Sequence, residues 1–311
     1  MTVTVLICTR NRSATLDETL DSLFIESNLA EPGWEVIVVD NGSTDGTSEL
    51  CQNFRRIQPD KFRYLVEEKP GKSNALNSGI AAARGDLVAM IDDDVTCAPG
   101  YIRGVQQTFG QPNVDAAQGR TFIRCEGGRP VHLHQDLALF MGLRDFGDDC
   151  IELPGNLCGT NSVVRASVFR AVGGYSTHLG AGAIGYAEDT EMSQRIRDAG
   201  FHLVYAPAIV VTHHLPQERL TQSAFRKRYF GLGRSNAYRV AMHVPLWRFG
   251  LYLVKEGLVN EPLAWWQRLT GRPAQALRLQ CEIRELAGFF VEHYRLRSES
   301  ARRLSSPRSK L

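Results

Sequence analysis

The first hundred residues alternate between short runs that are apolar throughout and longer stretches in which apolar positions recur every three or four residues. The runs are Val3–Cys8, Glu35–Val39, Phe62–Val66 and Leu87–Ile91, and between them lie Ala14–Ile25, Thr47–Ile57 and Ser73–Ala83. A strand that is apolar on both faces must be covered on both. The alternation therefore predicts a mostly parallel sheet flanked by amphipathic helices, a doubly wound α/β domain. In such a sheet ligands bind beyond the carboxyl ends of the strands, so the residues that follow each run carry the functional signal.

Those residues are polar. The first run is followed by Thr9-Arg10-Asn11-Arg12, the second by Asp40-Asn41-Gly42-Ser43, and the fourth by Asp92-Asp93-Asp94. Turns and helix caps account for part of this, and the segment Asp40 to Asp45 contains the residues both require. The triple aspartate is sharper. Three adjacent carboxylates at a buried strand end repel one another unless a cation sits among them, and oxygen ligands suit Mg²⁺ or Mn²⁺ bound together with substrate phosphates. Later in the chain, Glu188-Asp189 opens a helical pattern through Met192, Ile196 and Ala199, where acids also serve as caps. The run Val210-Val211-Thr212-His213-His214 reads as a strand ending in two imidazoles.

Composition removes several classes of function. A net charge of +2 over 311 residues gives no reason to expect nucleic acid as a partner. Seven scattered cysteines, none paired at zinc or redox spacing, suit a reducing cytosol, so a cytoplasmic protein is expected. No basic stretch precedes Val3–Cys8 as in a secretory signal, and no apolar segment reaches the roughly 18 to 20 residues that span a bilayer. Beyond His214 the composition shifts to Arg, Trp, Tyr and Leu in helical patterns. The stretch Leu246 to Val254 is too short to cross a membrane but suits either packing on the catalytic domain or a bilayer interface. The tail from Arg295 to Leu311, rich in Arg and Ser, is expected to be disordered and attractive to an anionic membrane surface.

In order and spacing the chain resembles the family 2 glycosyltransferases, whose fold is called GT-A. The matching segments are Val5 to Arg12, Val36 to Asp45, Lys72 to Gly79, Ala83-Arg84-Gly85-Asp86, Ile91-Asp92-Asp93-Asp94, Gly173-Gly174-Tyr175 and Ala187-Glu188-Asp189-Thr190-Glu191. The resemblance implies a Rossmann-like, mostly parallel sheet flanked by helices. The catalytic domain would span 1–215, with a nucleotide-sugar half at 1–110 and an acceptor half at 111–215. A helical C-terminal extension at 216–294 and the basic tail at 295–311 would follow.

The same resemblance implies roles. Asp40 would accept a hydrogen bond from a pyrimidine base, uracil first, with Thr9, Arg10 and Asn11 bordering the nucleotide, and Lys72 would lie near the base or the phosphates, unless it is only a solvated first-turn lysine. Asp92 and Asp94 would form an Asp-x-Asp pair, Asp94 the direct metal ligand and Asp92 facing ribose or metal, with Asp93 sharing either role. Asp189, beside Glu188, would be the general base, and attack opposite the departing diphosphate would invert the anomeric carbon. His213, preferred over His214, would complete a site for Mn²⁺ or Mg²⁺. Thr160 and Asn161 would lie on the acceptor side, and glycines around Ala181 and Gly182 would let a loop close over the donor. Partners would be a nucleoside-diphosphate sugar and a glycan, glycolipid or small-molecule acceptor; peripheral contact at the inner face of a membrane is expected from the composition of the C-terminal region, not from the resemblance.

Two other classes fit less well. A sugar-1-phosphate nucleotidyltransferase needs a glycine-rich triphosphate loop where this chain has Thr9-Arg10-Asn11-Arg12, and a processive polysaccharide synthase adds membrane spans and a Gln-x-x-Arg-Trp motif that are not found. A non-catalytic nucleotide-binding scaffold would be expected to lose some of the acids, which are all present.

Overall fold

A computed structural model describes residues 1–240 and 246–305. The strands are β1 (Val3–Thr9), β2 (Trp34–Asp40), β3 (Phe62–Val66), β4 (Leu87–Ile91), β5 (Val95–Cys97), β6 (Ala116–Cys125), β7 (Ile151–Glu152), β8 (Asn161–Arg165) and β9 (Leu203–Leu215). The helices are α1 (Ser13–Leu23), α2 (Glu26–Leu29), α3 (Thr47–Ile57), α4 (Lys72–Ala82), α5 (Tyr101–Phe109), α6 (Gln135–Phe140), α7 (Ala166–Val172), α8 (Glu188–Asp198), α9 (Gln222–Val240), α10 (Leu246–Leu269) and α11 (Pro273–Ser305). Among the described residues the strands form one nine-stranded sheet in the order β3-β2-β1-β4-β8-β6-β9-β5, with β7 on β9. This is the mixed, mostly parallel sheet flanked by helices that the sequence predicts.

Why the first strands read as unbroken apolar runs is visible in their packing. Val5 and Ile7 of β1 point into one core with Val36 and Val38 of β2, whereas Leu6, Ile37 and Val39 point into the other. Successive side chains alternate faces and both faces are covered, so most positions are apolar, and the buried Thr4 is satisfied by donating to Glu35 Oε1 at 2.9 Å. Each fully buried aliphatic side chain stabilises the fold by about 1.5 to 3 kcal/mol, so the loops at the strand ends project from a rigid base.

Three features of the sheet bring distant residues to one edge. The order reverses between β1 and β4, which pair in parallel with Ile7 opposite Ile91, so Thr9 and Asp92 leave the sheet side by side at the switch point. Strand β8 runs antiparallel to β4 with Asn161 opposite Ile91, which delivers Thr160 to the same edge. Strand β5 runs antiparallel to β9 with Val95 opposite His213. The loops are fixed by short-range polar contacts. Asp45 accepts hydrogen bonds from the backbone N–H of Thr47 (3.1 Å) and of Ser13 (3.0 Å), and so ties the starts of α3 and α1 together.

The chain separates into two units. Met1–Gly128, Ala138–Ala183 and Glu188–Leu215 form the first, and Arg129–Leu137, Ile184–Ala187 and Pro216–Leu311 the second. In the second, α9 and α11 meet backbone to backbone. A Cβ at Gly233 would overlap the Glu285 carbonyl oxygen, and one at Gly288 that of Phe230. The buried Glu292 of α11 accepts from Arg234 Nε (2.9 Å) and Arg295 Nε (2.8 Å), which hold its carboxyl below the usual range although burial acts the other way. Asn236 donates to Glu285 Oε1 at 2.9 Å. Helix α11 continues through residues 295–305, part of the stretch expected to be a disordered tail; residues 306–311 lie outside the described residues. Among the described residues no helix is long and apolar enough to cross a membrane.

Candidate active site

The carboxyl edge of β1, β2 and β4 carries two linked clusters of charge. In the first, Asp93 and Asp94 leave β4 almost fully buried and meet a cation from the β1–α1 loop. Arg12 donates from Nη1 to Asp93 Oδ1 and to Asp94 Oδ2, both at 2.9 Å, while Thr9 Oγ1 donates to Asp93 Oδ2 at 2.7 Å. Burial nevertheless raises the pKa of Asp93, with Arg12 opposing. Arg10, expected to border the nucleotide, is exposed and makes no ion pair with these acids; Arg12, two residues on, pairs with them.

His213 faces the same acids. Its Nδ1 lies 2.9 Å from the Met141 carbonyl, which can only accept, so Nδ1 carries the proton. The other nitrogen, Nε2, is buried, makes no hydrogen bond, and sits 3.2 Å from Asp94 Oδ1. An imidazole lone pair and a carboxylate oxygen turned toward each other at this distance repel unless a cation or a proton lies between them. A carboxylate oxygen suits Mn²⁺ and Mg²⁺ alike, whereas an imidazole nitrogen suits a transition-metal ion, so the pair fits Mn²⁺ better than Mg²⁺. His214 points elsewhere: its backbone N–H donates to the Asp94 carbonyl at 2.9 Å and its Nε2 lies 3.1 Å from Thr96 Oγ1. Strand alternation sends the two imidazoles to opposite sides, so only His213 reaches the acids.

The second cluster is built on Lys72, the first residue of α4. Its ammonium donates to Asp92 Oδ1 at 2.6 Å, and Thr160 Oγ1 donates to Asp92 Oδ2 at 3.1 Å. Burial works against the charge on Lys72, but Asp92, Asp189 and Glu188 around it outweigh burial and hold its pKa well above the ordinary value. Asp92 answers with a lowered pKa: burial would raise it, and Lys72 overrides burial. Both Asp92 oxygens thus already have protein partners. Among the described residues no three His, Cys, Asp or Glu side chains converge as a metal site. Of the three residues expected to hold a metal, Asp94 and His213 face each other, whereas Asp92 is paired with Lys72 and Thr160.

Asp189 lies across Lys72 from Asp92, in the first turn of α8. The Gly159 N–H donates to Asp189 Oδ2 at 2.8 Å, while Oδ1 is buried without a hydrogen-bond partner. Gly159 is tightly enclosed: a Cβ there would stand 3.2 Å from both Asp189 Oδ2 and Lys72 Nζ, so one of them would have to shift. Burial raises the pKa of Asp189, and burial together with the Asp189 charge pushes Glu188 up to about 7. Ala187, just before them, adopts φ +71, a backbone state that an alanine seldom occupies and that marks a constrained turn. A carboxylate oriented through one oxygen, unpaired on the other and raised by burial has properties that a general base requires.

The remaining predicted residues separate into pocket and frame. Asp40 ends β2, its Oδ1 accepting from the Ser43 N–H and its Oδ2 from the Tyr64 hydroxyl, both at 2.8 Å. Asn11 adopts φ +54, accepts from the Thr44 N–H at 2.7 Å, and its own N–H donates to Ser43 Oγ at 2.9 Å, which joins the loops after β1 and β2. Asn161 is a correction: its side chain turns inward, donating to the Arg120 and Ile209 carbonyls at 3.0 Å each and accepting from the Tyr101 hydroxyl at 3.2 Å. It holds the sheet where β6 shifts register at Gly119/Arg120, and Thr160 alone of that pair reaches the site. Asn41, which the sequence did not single out, pins the loop before Lys72 by accepting from the Gly71 N–H (2.7 Å) and donating to the Glu67 and Lys69 carbonyls. Against α4, the Lys72 N–H donates to the Ala181 carbonyl at 2.9 Å and Ser73 Oγ to that of Leu179 at 2.8 Å, so the glycine-rich stretch seals the start of that helix.

Sheet and site together define an enzyme of the glycosyltransferase class, and the family model described as Glycosyl transferase family 2 matches residues 4–173, more than half of the chain, which therefore belongs to that family. Its members named below are transferases, and this chain is a glycosyltransferase using nucleotide-sugar donors. Among curated relatives, the Glycosyltransferase AglE of Haloferax volcanii is 26% identical over 226 residues, 72% of this chain and 71% of the relative. The Glucosyl-dolichyl phosphate glucuronosyltransferase of the same organism is 29% identical over 227 residues, 70% of this chain and 71% of the relative. Among solved structures, the mannosyltransferase PcManGT of Pyrobaculum calidifontis, in complex with GDP-Man and Mn²⁺, aligns with a TM-score of 0.58 at 21% identity over 98% of this chain and 81% of the other, a likeness of fold.

Proposed function

We propose that the protein is a non-processive, inverting glycosyltransferase that moves a sugar from a nucleoside-diphosphate donor, a UDP-sugar first, to an acceptor hydroxyl, with Asp189 as general base. The observation that carries this reading is the Asp189 carboxylate, oriented through one oxygen by Gly159, with the other oxygen buried and without a hydrogen-bond partner, next to Lys72. A hydroxyl is a weak nucleophile. Asp189 Oδ1 would take its proton as the oxygen attacks the anomeric carbon, and attack from the face opposite the diphosphate inverts that centre. Burial and the Asp189 charge push the neighbouring Glu188 up to about 7, so the two carboxyls share their charge near neutral pH.

The donor side rests on the first cluster. Asp94 and His213 would hold a divalent cation, Mn²⁺ or Mg²⁺, which when bound supplies neutralising charge to the departing diphosphate. With two protein donors, the phosphates of the donor would complete its coordination, as is usual for Mg²⁺. Lys72 keeps a fixed positive charge beside Asp92. Asp40, Thr9 and Asn11 would border the base, and Thr160 the sugar or acceptor. Residues 1–215 would hold the whole reaction, and the helices that follow would serve the acceptor. That a relative is named for action on a glucosyl-dolichyl phosphate supports a lipid-linked sugar as the first acceptor class to try.

A screen of UDP-, GDP- and dTDP-sugars with Mn²⁺, read as release of nucleoside diphosphate, tests the reading. One nucleotide class should be turned over by the wild type and left intact by Asp189→Asn, with inversion visible by NMR of the product. Equal turnover by the variant would remove Asp189 from the mechanism.

A further inference from the structure

The small net charge conceals a segregation. Residues 1–215 carry 18 Lys and Arg against 27 Asp and Glu, a formal charge of −9, whereas residues 216–311 carry 18 against 7, a formal charge of +11. Nothing in the transfer chemistry proposed above calls for that concentration of cations outside the catalytic residues.

The basic part also exposes an apolar helix face. On α10, Val254, Leu258, Trp265 and Leu269 recur at spacings of four, seven and four residues, and Val259, Leu263 and Trp266 lie beside them. At about 100° per residue these positions occupy one half of the helix, with Ala264 buried on the other. Leu258 and Leu269 are 73% and 74% exposed, Trp265 and Trp266 64% and 53%. Exposed Arg268 and Arg272 follow at the carboxyl end. Single exposed leucines need no explanation, but seven large apolar residues on one half of one helix do.

We propose that this face of α10 docks on an anionic lipid bilayer, the tryptophans and leucines entering the boundary between headgroups and acyl chains while the cations of the C-terminal helices face the lipid phosphates. Two independent features favour that occupant. Tryptophan and leucine on one side of a helix with arginine at its flank are the composition of interfacial helices. A charge of +11 gains from a negatively charged surface within a Debye length. A second copy of the chain fits less well, since docking by this face would bring two strongly basic regions together.

The full-length protein would be sedimented with vesicles of phosphatidylcholine alone and of phosphatidylcholine mixed with phosphatidylglycerol, at low and high salt. The wild type should partition to the anionic vesicles about tenfold or more better than to the neutral ones, and high salt should reduce the difference. The Trp265→Ser/Trp266→Ser double variant should lose about tenfold in partitioning, with an unchanged thermal melt and unchanged nucleoside-diphosphate binding; Leu258→Ser/Leu269→Ser should repeat the loss at the same face. Failure of the wild type to bind anionic vesicles, or full binding by both double variants, would overturn the proposal. So would a change from dimer to monomer on light scattering when either pair is replaced, since that assigns the face to a second copy. Nucleotide binding, read separately, reports on the transferase site and leaves the two conclusions distinguishable.

Discussion

The two parts of the chain handle charge in opposite ways. At the sheet edge, acids are gathered into buried positions and set against a few placed cations: Arg12 for Asp93 and Asp94, Lys72 for Asp92 with Asp189 beyond. In the C-terminal helices, cations are in excess and the deeply buried acid Glu292 has two arginines. The first arrangement holds charge in a fixed geometry where a reaction can use it. The second keeps a long-range field and leaves apolar side chains to solvent. Donor binding and the transfer step are therefore expected to fail with edits to the first part, and donor binding to survive edits to the second.

The largest effect should come from Asp189→Asn. Loss of a general base typically costs between about a hundredfold and ten-thousandfold, so kcat/KM should fall by about a thousandfold while nucleotide affinity by calorimetry stays within about twofold. A drop in affinity of the same size would mean that Asp189 binds the donor.

Asp94→Ala and His213→Ala should each lower metal-dependent affinity for the nucleoside diphosphate by about a hundredfold. Binding measured in chelator should be the same in both variants and the wild type. His214→Ala, whose ring faces Thr96, should bind as the wild type does, and a loss there equal to that of His213→Ala would contradict the assignment.

In the second part, Gly233→Val should be purely structural. The added atoms collide with the Glu285 carbonyl, so α9 and α11 must separate, at a cost of about 2 kcal/mol or more. Thermal unfolding should register this, and nucleotide affinity should not.

The smallest effect concerns pH. Glu188 is raised from 4.5 to about 7, so the folded chain holds a proton that the unfolded chain releases. The stability associated with that proton is fully present below the ordinary glutamate range and is lost as pH rises through about 7. Glu188→Gln should flatten this window, raising Tm by about 2 to 5 °C at about pH 8 and hardly at all near about pH 4.5. A variant that is less stable across the whole range would show that Glu188 is needed as an acceptor.

How far the sequence reaches follows the same division. The runs Phe62–Val66 and Leu87–Ile91 match β3 and β4 to the residue, and Thr47–Ile57 matches α3, because a strand or helix buried between layers must declare its period. The antiparallel strand β8 and the register shift in β6 are not declared locally, so the inward role of Asn161 stayed hidden and it was read with Thr160. Strand alternation separates the two: neighbours in sequence face opposite sides. The pairing of Arg12 with Asp93 and Asp94 is likewise set by loop geometry, which no residue pattern encodes. Asp94, Asp189 and His213 could be listed from the sequence, but the distance from Asp94 to His213 and the unpaired oxygen of Asp189 come only from packing. Net charge was the least informative quantity, since +2 is the sum of two large opposite values.

The most direct test of the central claim is calorimetric titration of UDP, dTDP and GDP into the wild type, Asp94→Ala and Asp189→Asn, with and without Mn²⁺. The account predicts metal-dependent binding of one nucleotide, UDP first, abolished in Asp94→Ala and retained in Asp189→Asn. Binding that ignores the metal and survives in Asp94→Ala, or no binding by the wild type to any of the three, would contradict it.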